Sequence, residues 1–451
     1  MHLTFLGAAE TVTGSRYLLN LHGKKILIDC GLFQGLKPLR ERNWVNFPID
    51  PATVDAVLLT HAHLDHCGYL PLFVKQGFHK TIYCTHATRD LCQVVLTDSG
   101  HLQEEEAQYA NKHGYSKHKP ALPLYTQQDA MDSMKYFRAV NMGKKFNLID
   151  DTSTQFKRAG HIIGAASIFI QAKEGSILFS GDLGRLQDPI MKPPAFVACT
   201  DYLVLESTYG DRQHPQTNPQ EKMREVINQT AARGGTIIIP AFTIGRTQTL
   251  LYYLYQLKME KKIPPIPIFL DSPMAIEVTN LFCRYAYNTR LSMRFARQIC
   301  SVAQFVQTPE ESKAIDQKNM PKIIISASGM LTGGRVLHHL KAFAPDDRNA
   351  ILLTGYQAVG TRGARLLAGE KEIKMLGRMV PIRAQVENMT NLSAHADYEE
   401  MLTWLSYFKR PPRKVFITHG ESDSALSLKA KIEKRLGWPC VVPSYLQEET
   451  L

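Results

Sequence analysis

Residues 60–66 read Thr-His-Ala-His-Leu-Asp-His and follow a mostly apolar run, Val54 to Leu59. Three imidazoles and one carboxylate fall within six positions, on the turn expected after a buried strand. Such a turn can aim His61 and His63 at one point, and Asp65 and His66 at a second point nearby. Imidazole nitrogen and carboxylate oxygen are the donors that zinc takes at catalytic sites.

Other predicted strand ends carry the same chemistry. Asp29 closes Ile26-Leu27-Ile28, and His161 follows Arg158-Ala159-Gly160. Asp182 follows Leu178-Phe179-Ser180-Gly181, and His419 closes Val415-Phe416-Ile417-Thr418. In each case a strand ends in one acid or imidazole, usually with a glycine beside it. Open α/β folds place their sites at the carboxyl ends of strands.

The chain has 451 residues, more than one ordinary domain needs. With 44% apolar and 21% charged residues it should be globular with a sizeable core. No run approaches the ~18 apolar residues of a membrane span. The first residues, Met1 to Gly7, lack a basic n-region and read as a strand, not a signal peptide. The eight cysteines are scattered with no C-x-x-C pair, which suits a reduced, cytoplasmic protein. Cys67 adjoins His66 but reads as a buried thiol. The formal charge of +11 suits a polyanionic partner such as nucleic acid.

Along the first half, β-rich runs alternate with turn signals. Strands are expected at 3–6, 15–21, 25–29, 54–60, 81–84, 156–158, 166–172, 176–180 and 201–206, with helices at 68–76 and 87–97. The polar stretch 98–125 reads as a helix followed by a loop with Pro120 and Pro123, and His101, His113 and His118 there read as solvated. From Thr236 a strand–helix alternation begins: strands at 236–240, 267–270, 322–326 and 350–354, and a helix at 247–257. That pattern means a mostly parallel sheet covered by helices. Near 383–389 the texture of the first half is expected to return and run to a strand at 414–418. An α/β sandwich thus opens the chain, a second α/β domain is inserted, and the last segment completes the first.

Asp29, the H-x-H-x-D-H of 61–66, His161 and Asp182 resemble the four motifs of the metallo-β-lactamase superfamily. Glu206 in Glu206-Ser207-Thr208, His395 in Ser393-Ala394-His395-Ala396-Asp397 and His419 in Thr418-His419-Gly420 resemble motifs A, B and C of its β-CASP branch. The resemblance spans essentially the whole chain. It is nearest to bacterial and archaeal ribonucleases related to the endonuclease subunit of the eukaryotic cleavage-and-polyadenylation factor. It implies an αββα sandwich that begins with residues 1–208 and is completed by residues 393–451. Between them, over residues 209–392, would lie an inserted α/β β-CASP domain of mostly parallel sheet.

The resemblance further implies two zinc ions, with manganese as the alternative metal. His61, His63, His161 and Asp182 would hold one; Asp65, His66, His419 and a shared Asp182 would hold the other. Asp29 would orient ligands or the attacking water. The activity implied is hydrolysis of RNA phosphodiesters, endonucleolytic or from the 5′ end, by a hydroxide between the metals. Products would be a 5′-phosphate and a 3′-hydroxyl, in RNA processing or decay. His395 would be the general acid and Glu206 would fix its tautomer.

Single-stranded RNA is the expected partner. A homodimer fits the family, and a membrane role does not. The inserted domain would close on the strand with three phosphate-suited stretches: Thr243 to Arg246, Ser328-Gly329 to Arg335, and Gly355-Tyr356-Gln357 to Thr361-Arg362. Competing functions are a DNA nuclease of the same branch, a lactonase or thioesterase on the same core, and a non-catalytic RNA-binding scaffold. The insertion and the motifs at Glu206, His395 and His419 favour the ribonuclease.

Overall fold

The structure, a computed structural model, describes every residue except Tyr115, Asp150, Tyr356, Ala358 and Val359. Tyr356 of the third phosphate-suited stretch therefore lies outside the described residues. Contacts divide the chain into two units, Met1–Gln213 with His395–Leu451, and His214–Ala394.

The first unit holds two seven-stranded sheets. One runs in the order Glu448–Thr450, His2–Phe5, Tyr17–Leu21, Lys24–Ile28, Ala56–Leu58, Thr81–Thr85, Phe137–Val140. Its pairs are antiparallel as far as Lys24–Ile28 and parallel from there on. The other runs Cys440–Val441, Lys414–Thr418, Tyr202–Glu206, Ser176–Phe179, Ala166–Gln171, Ser153–Arg158, Lys145–Phe146. Its first four strands are parallel and the rest antiparallel.

Side-chain alternation decides what each face meets. Phe416, Val204, Ile177 and Phe179 join Phe5, Leu19, Ile26 and Leu58 in a core between the sheets. Their neighbours Val415, Ile417, Leu203 and Leu178 point the other way. They pack with Met401, Trp404 and Leu405 of helix Tyr398–Leu405 and with Leu428 and Ile432 of helix Ser422–Leu436. On the first sheet, helix His86–His113 covers Thr81–Thr85 and Phe137–Val140. The result is the expected αββα sandwich.

The second unit is built on a six-stranded, wholly parallel sheet. Its order is Gln304–Phe305, Ile268–Asp271, Lys322–Ser326, Thr236–Pro240, Ala350–Leu353, Gln385–Asn388. Its central strands are isoleucine-rich and buried on both faces. Ile237, Ile239, Ile323 and Ile325 face one core while Ile238, Ile351 and Leu353 face another. Near-continuous apolar runs of this kind are what a parallel sheet covered by helices requires.

Three local expectations are corrected. The helices expected at 87–97 and within 98–125 are one helix, His86–His113, because Gln103 to Ala107 are good helix formers and Gly114, at φ 64°, is the first residue to stop it. The strand at Phe137–Val140 was not expected; at an edge it is only half buried and its pattern is faint. The segment near 383–389 does not return to the first unit's sheets, since Gln385–Asn388 pairs in parallel with Ala350–Leu353.

Candidate metal centre

Strand ends build the centre, all of them within the first unit. Asp29 leaves its strand at φ 57° and His419 leaves its own at φ 49°, while Gly160 and Gly181 take φ 77° and 55° beside His161 and Asp182. The left-handed region is disfavoured for residues other than glycine and clusters at functional sites. Each such residue ends a strand with an abrupt turn.

The His-rich turn is strapped to the segment after Asp29. Cys30 N–H donates to His66 C=O (2.7 Å), Leu32 N–H to Leu64 C=O (2.8 Å) and Ser15 N–H to Asp65 C=O (2.8 Å). Gly31 allows this approach, since a Cβ there would stand 1.6 Å from the Asp65 carbonyl oxygen.

Four donor atoms converge at one point. His61 Nε2 lies 3.1 Å from His63 Nδ1, which lies 3.2 Å from His161 Nε2. Asp182 Oδ2 is 3.3 Å from His61 Nε2 and 3.5 Å from His161 Nε2. Donors about 2.1 Å from a tetrahedral ion stand about 3.4 Å apart, so this spacing is that of a four-coordinate cage. A second group adjoins it. His66 Nε2 is 3.1 Å from His419 Nε2, and Asp65 Oδ2 is 3.4 Å from His419 Nε2. Asp182 Oδ1 is 3.1 Å from His66 Nε2, so this one carboxylate turns an oxygen to each group. The donor set fits a dinuclear metal site.

Hydroxyls and carboxylates around the cluster set which ring nitrogen faces it. Asp29 Oδ1 accepts from Thr60 N–H (2.7 Å), and its Oδ2 accepts from Thr60 Oγ1 (2.8 Å) and His66 Nδ1 (2.8 Å). Having donated to Asp29, Thr60 Oγ1 accepts from His61 Nδ1 (3.1 Å). Thr208 Oγ1 likewise donates to Glu206 Oε2 (2.7 Å) and accepts from His419 Nδ1 (3.1 Å). With Nδ1 donating on His61, His66 and His419, Nε2 is the nitrogen that each ring turns to the cluster. Thr60 and Thr208 were not among the expected site residues. Their position next to a ligand or acid at a strand end is the signal that could have found them.

Burial, then the neighbouring His61, lowers the His63 pKa to about 3, and burial foremost also lowers those of His61 and His161. These three rings are therefore neutral, the form that binds metal. Burial opposes charge on His66, but Asp182, Asp29 and Asp65 outweigh it and hold its pKa well above the usual imidazole range. Asp182 and Asp65 stay ionised against their own burial because His419 and His66 lie beside them.

Glu206 and His395 flank the cluster. Glu206 Oε2 lies 3.1 Å from His395 Nδ1, and Oε1 also accepts from Leu183 N–H. The rings of His395 and His161 are 4.4 Å apart between centroids. Burial opposes a charge on His395, but Glu206 raises its pKa to about 9.

The phosphate-suited stretches lie in the second unit, at the carboxyl ends of three adjacent strands. The stretches do touch: Gln357 Nε2 donates to Gly329 C=O (3.0 Å), and Arg246 Nη2 would stand 3.6 Å from a Cβ on Gly355. Thr243 and Arg246 are buried here. Four of the expected contacts are instead committed within the fold. Arg335 Nη1 is 2.7 Å from the buried Asp271, and its Nη2 donates to Gln307 C=O. Arg362 donates to the carbonyls of Lys374, Leu331 and Thr332. Ser328 Oγ accepts from Thr332 N–H, and Thr361 caps its helix through Ala364 N–H. Turns and caps recruit the same residue types as anion sites, which is why spacing alone could not separate them.

Sequence profiles of known families match in three places. The metallo-beta-lactamase superfamily matches residues 11–123, the Beta-Casp domain 247–366, and the Zn-dependent metallo-hydrolase RNA specificity domain 379–443. The chain is 35% identical to Ribonuclease TTHA0252 of Thermus thermophilus, over 95% of both chains. It is 30% identical to the RNase J-like protein of Methanocaldococcus jannaschii, over 98% of this chain and 97% of that one. Integrator complex subunit 11 of Gallus gallus is 27% identical, over all of this chain and 74% of that one. A solved structure, of a protein of unknown function from Enterococcus faecalis, shares the fold with a TM-score of 0.58 at 12% identity, covering 100% of this chain and 99% of the other. With its motifs at strand ends and relatives matched along its full length, the chain belongs to the β-CASP branch of the metallo-β-lactamase superfamily.

Proposed function

We propose that this protein is a zinc-dependent ribonuclease that hydrolyses phosphodiesters of single-stranded RNA in RNA processing or decay. The observation that carries this reading is the pair of converging donor groups sharing Asp182, with a Glu206-held His395 beside them. His61, His63, His161 and Asp182 would hold one ion, and Asp65, His66, His419 and Asp182 the other. When bound, the ions neutralise phosphate oxygens and lower the pKa of water to about 7.

The chain's own residues do the rest. Asp29 and Thr60 keep His66 and His61 turned with Nε2 inward. His395, its Nδ1 held by Glu206, donates a proton from Nε2 to the departing 3′-oxygen as the P–O3′ bond breaks. The products are a 5′-phosphate and a 3′-hydroxyl. In the second unit, Thr243, Arg246 and Gly329 are the remaining candidate phosphate contacts.

The test is cleavage of a 5′-labelled single-stranded RNA beside the matching DNA, with zinc-loaded protein and His395→Ala. Cuts in RNA that vanish in the variant support the reading. Zinc-loaded protein that leaves RNA intact refutes it.

A further inference from the structure

A second cavity, of about 440 Å³, opens in the first unit at the other end of the sheet. It is lined by Ala56, Thr81 and Phe137, the first residues of three neighbouring parallel strands. The metal-centre residues stand at the carboxyl ends, so even a five-residue strand keeps the two sites roughly 15 Å apart.

Its chemistry is cationic and aromatic. Lys80, Lys135 and Arg138 line it and are exposed. Among the described residues none of the three has a carboxylate partner, while the one lining acid, Asp55, is paired with Lys24 at 3.2 Å. Arg138 and Lys135 lie over the rings of Tyr83 and Tyr136, at 5.9 and 5.2 Å. Each ring belongs to a stack: Tyr136 on His79 with centroids 5.8 Å apart, Tyr83 on Phe146 at 5.4 Å. Phe146 follows the exposed Lys144 and Lys145 in sequence, which extends the basic surface beyond the cavity.

Three cations with no carboxylate partner among the described residues hold a place for phosphate, and ring stacks with cations on them are what single-stranded nucleic acid uses as platforms. Nothing in the proposed reaction uses these residues. The phenol and imidazole of Tyr136 and His79 are already joined, Oη to Nδ1 at 3.0 Å, so the wall is preformed.

We infer that this cavity is an accessory nucleotide-binding site that takes one unit of an RNA strand, phosphate on Lys80, Lys135 and Arg138 and base against the tyrosine stacks. That RNA is the ligand rests on the proposed function; that the ligand is a nucleotide rests on the cavity alone. A strand held here and at the metal centre spans both ends of the sheet, so the site discriminates long RNA from short.

The test measures binding of a 20-nucleotide RNA as a function of salt, on metal-loaded protein carrying His395→Ala. Each phosphate contact contributes about 0.7 to the slope of log K against log salt for a single strand. The triple variant Lys80→Ala, Lys135→Ala, Arg138→Ala should lower the slope by about 2. A control, Lys258→Ala with Lys261→Ala and Lys262→Ala, should leave it unchanged. An unchanged slope in the first triple, or an equal fall in the control, overturns the proposal.

A second measurement needs no cavity variant. RNA bearing 4-thiouridine, photo-crosslinked to the wild-type protein, should label peptides containing Tyr83 or Tyr136, and labels confined to other peptides overturn the site. Labelling there by free 4-thiouridine monophosphate but not by RNA would keep the nucleotide chemistry and assign it to a free ligand. Absence of RNA cleavage with the slope effect intact would refute the ribonuclease and leave this site standing.

Discussion

His339 is buried in the second unit between two carboxylates, and it should make that unit's stability fall as the medium turns alkaline. Its Nε2 is 2.7 Å from Asp271 Oδ2 and its Nδ1 is 2.6 Å from Asp316 Oδ1. Asp271 also takes Ser312 Oγ and Arg335 Nη1. Burial opposes a charge on the ring, but its hydrogen bonds to Asp271 and Asp316 outweigh it and raise its pKa to about 9. The unfolded value is about 6.5. A group whose folded pKa is raised contributes stability that is complete below the unfolded value and is lost as pH rises through the folded one. At about 1.4 kcal/mol per pKa unit, the loss between pH 6 and 9.5 comes to about 3 kcal/mol. The three tryptophans, Trp44, Trp404 and Trp438, all lie in the first unit, so their fluorescence would miss this change. Hydrogen exchange read by mass spectrometry on peptides covering Ile268–Asp271 and Val336–Phe343 would not. Protection there should fall on the order of 100-fold over that range, after correction for intrinsic exchange, as an opening energy of about 3 kcal/mol requires. In His339→Gln the fall should disappear, and the unit should be less stable at pH 6, where a buried pair has been broken. A wild-type protection factor that does not change with pH, or changes as much in the variant, would refute the assignment of charge to this ring.

Three further outcomes are expected. Glu206→Gln should leave the metal content intact and slow RNA cleavage by about 100-fold or more, because His395 loses the anion that orients and charges it; metal analysis beside single-turnover cleavage separates the two effects. Gly31→Ala should lower metal content as well as activity, since its Cβ would meet the Asp65 carbonyl at 1.6 Å and push the His-rich turn away; full occupancy in that variant would contradict the strapping described here. Chelation should lower the midpoint of thermal unfolding of the first unit, by tryptophan fluorescence, and added zinc should restore it, by about 4 kcal/mol at a thousand times the dissociation constant; a midpoint indifferent to chelator would mean that the cluster holds no metal.

The sandwich and the parallel sheet were legible in the sequence because their strands are short apolar runs closed by glycines, and the isoleucine runs at 237–239 and 323–325 allow little else. What lay beyond reach was decided by tertiary contact. The helices read at 87–97 and within 98–125 are one continuous helix, and Gly100 is retained at the join because a Cβ there would stand 2.7 Å from the Thr126 carbonyl. Among the described residues the edge strand Phe137–Val140 pairs with Thr81–Thr85 alone, so half of it carries no apolar signature. The segment Gln385–Asn388 reads Gln-Val-Glu-Asn, and nothing in those letters tells which sheet it will join.

The metal cluster was legible for a different reason from the phosphate contacts. A metal ligand set needs imidazoles and carboxylates that few other roles demand, so His61, His161, Asp182 and His419 stand out even 358 positions apart in the chain. A phosphate contact needs Gly, Ser, Thr and Arg, and so does every turn and cap. Arg335 shows what decides between them: Asp271, buried 64 positions upstream, takes its guanidinium, and no local pattern announces that partner. The same carboxylate charges His339, another residue no motif contains. Spacing in sequence therefore finds groups whose chemistry is rare, while groups whose chemistry is common acquire their role only from what the fold places beside them. By that criterion Lys80, Lys135 and Arg138, unremarked among 53 basic residues, become a candidate site only once the strands Thr81–Thr85 and Phe137–Val140 are paired.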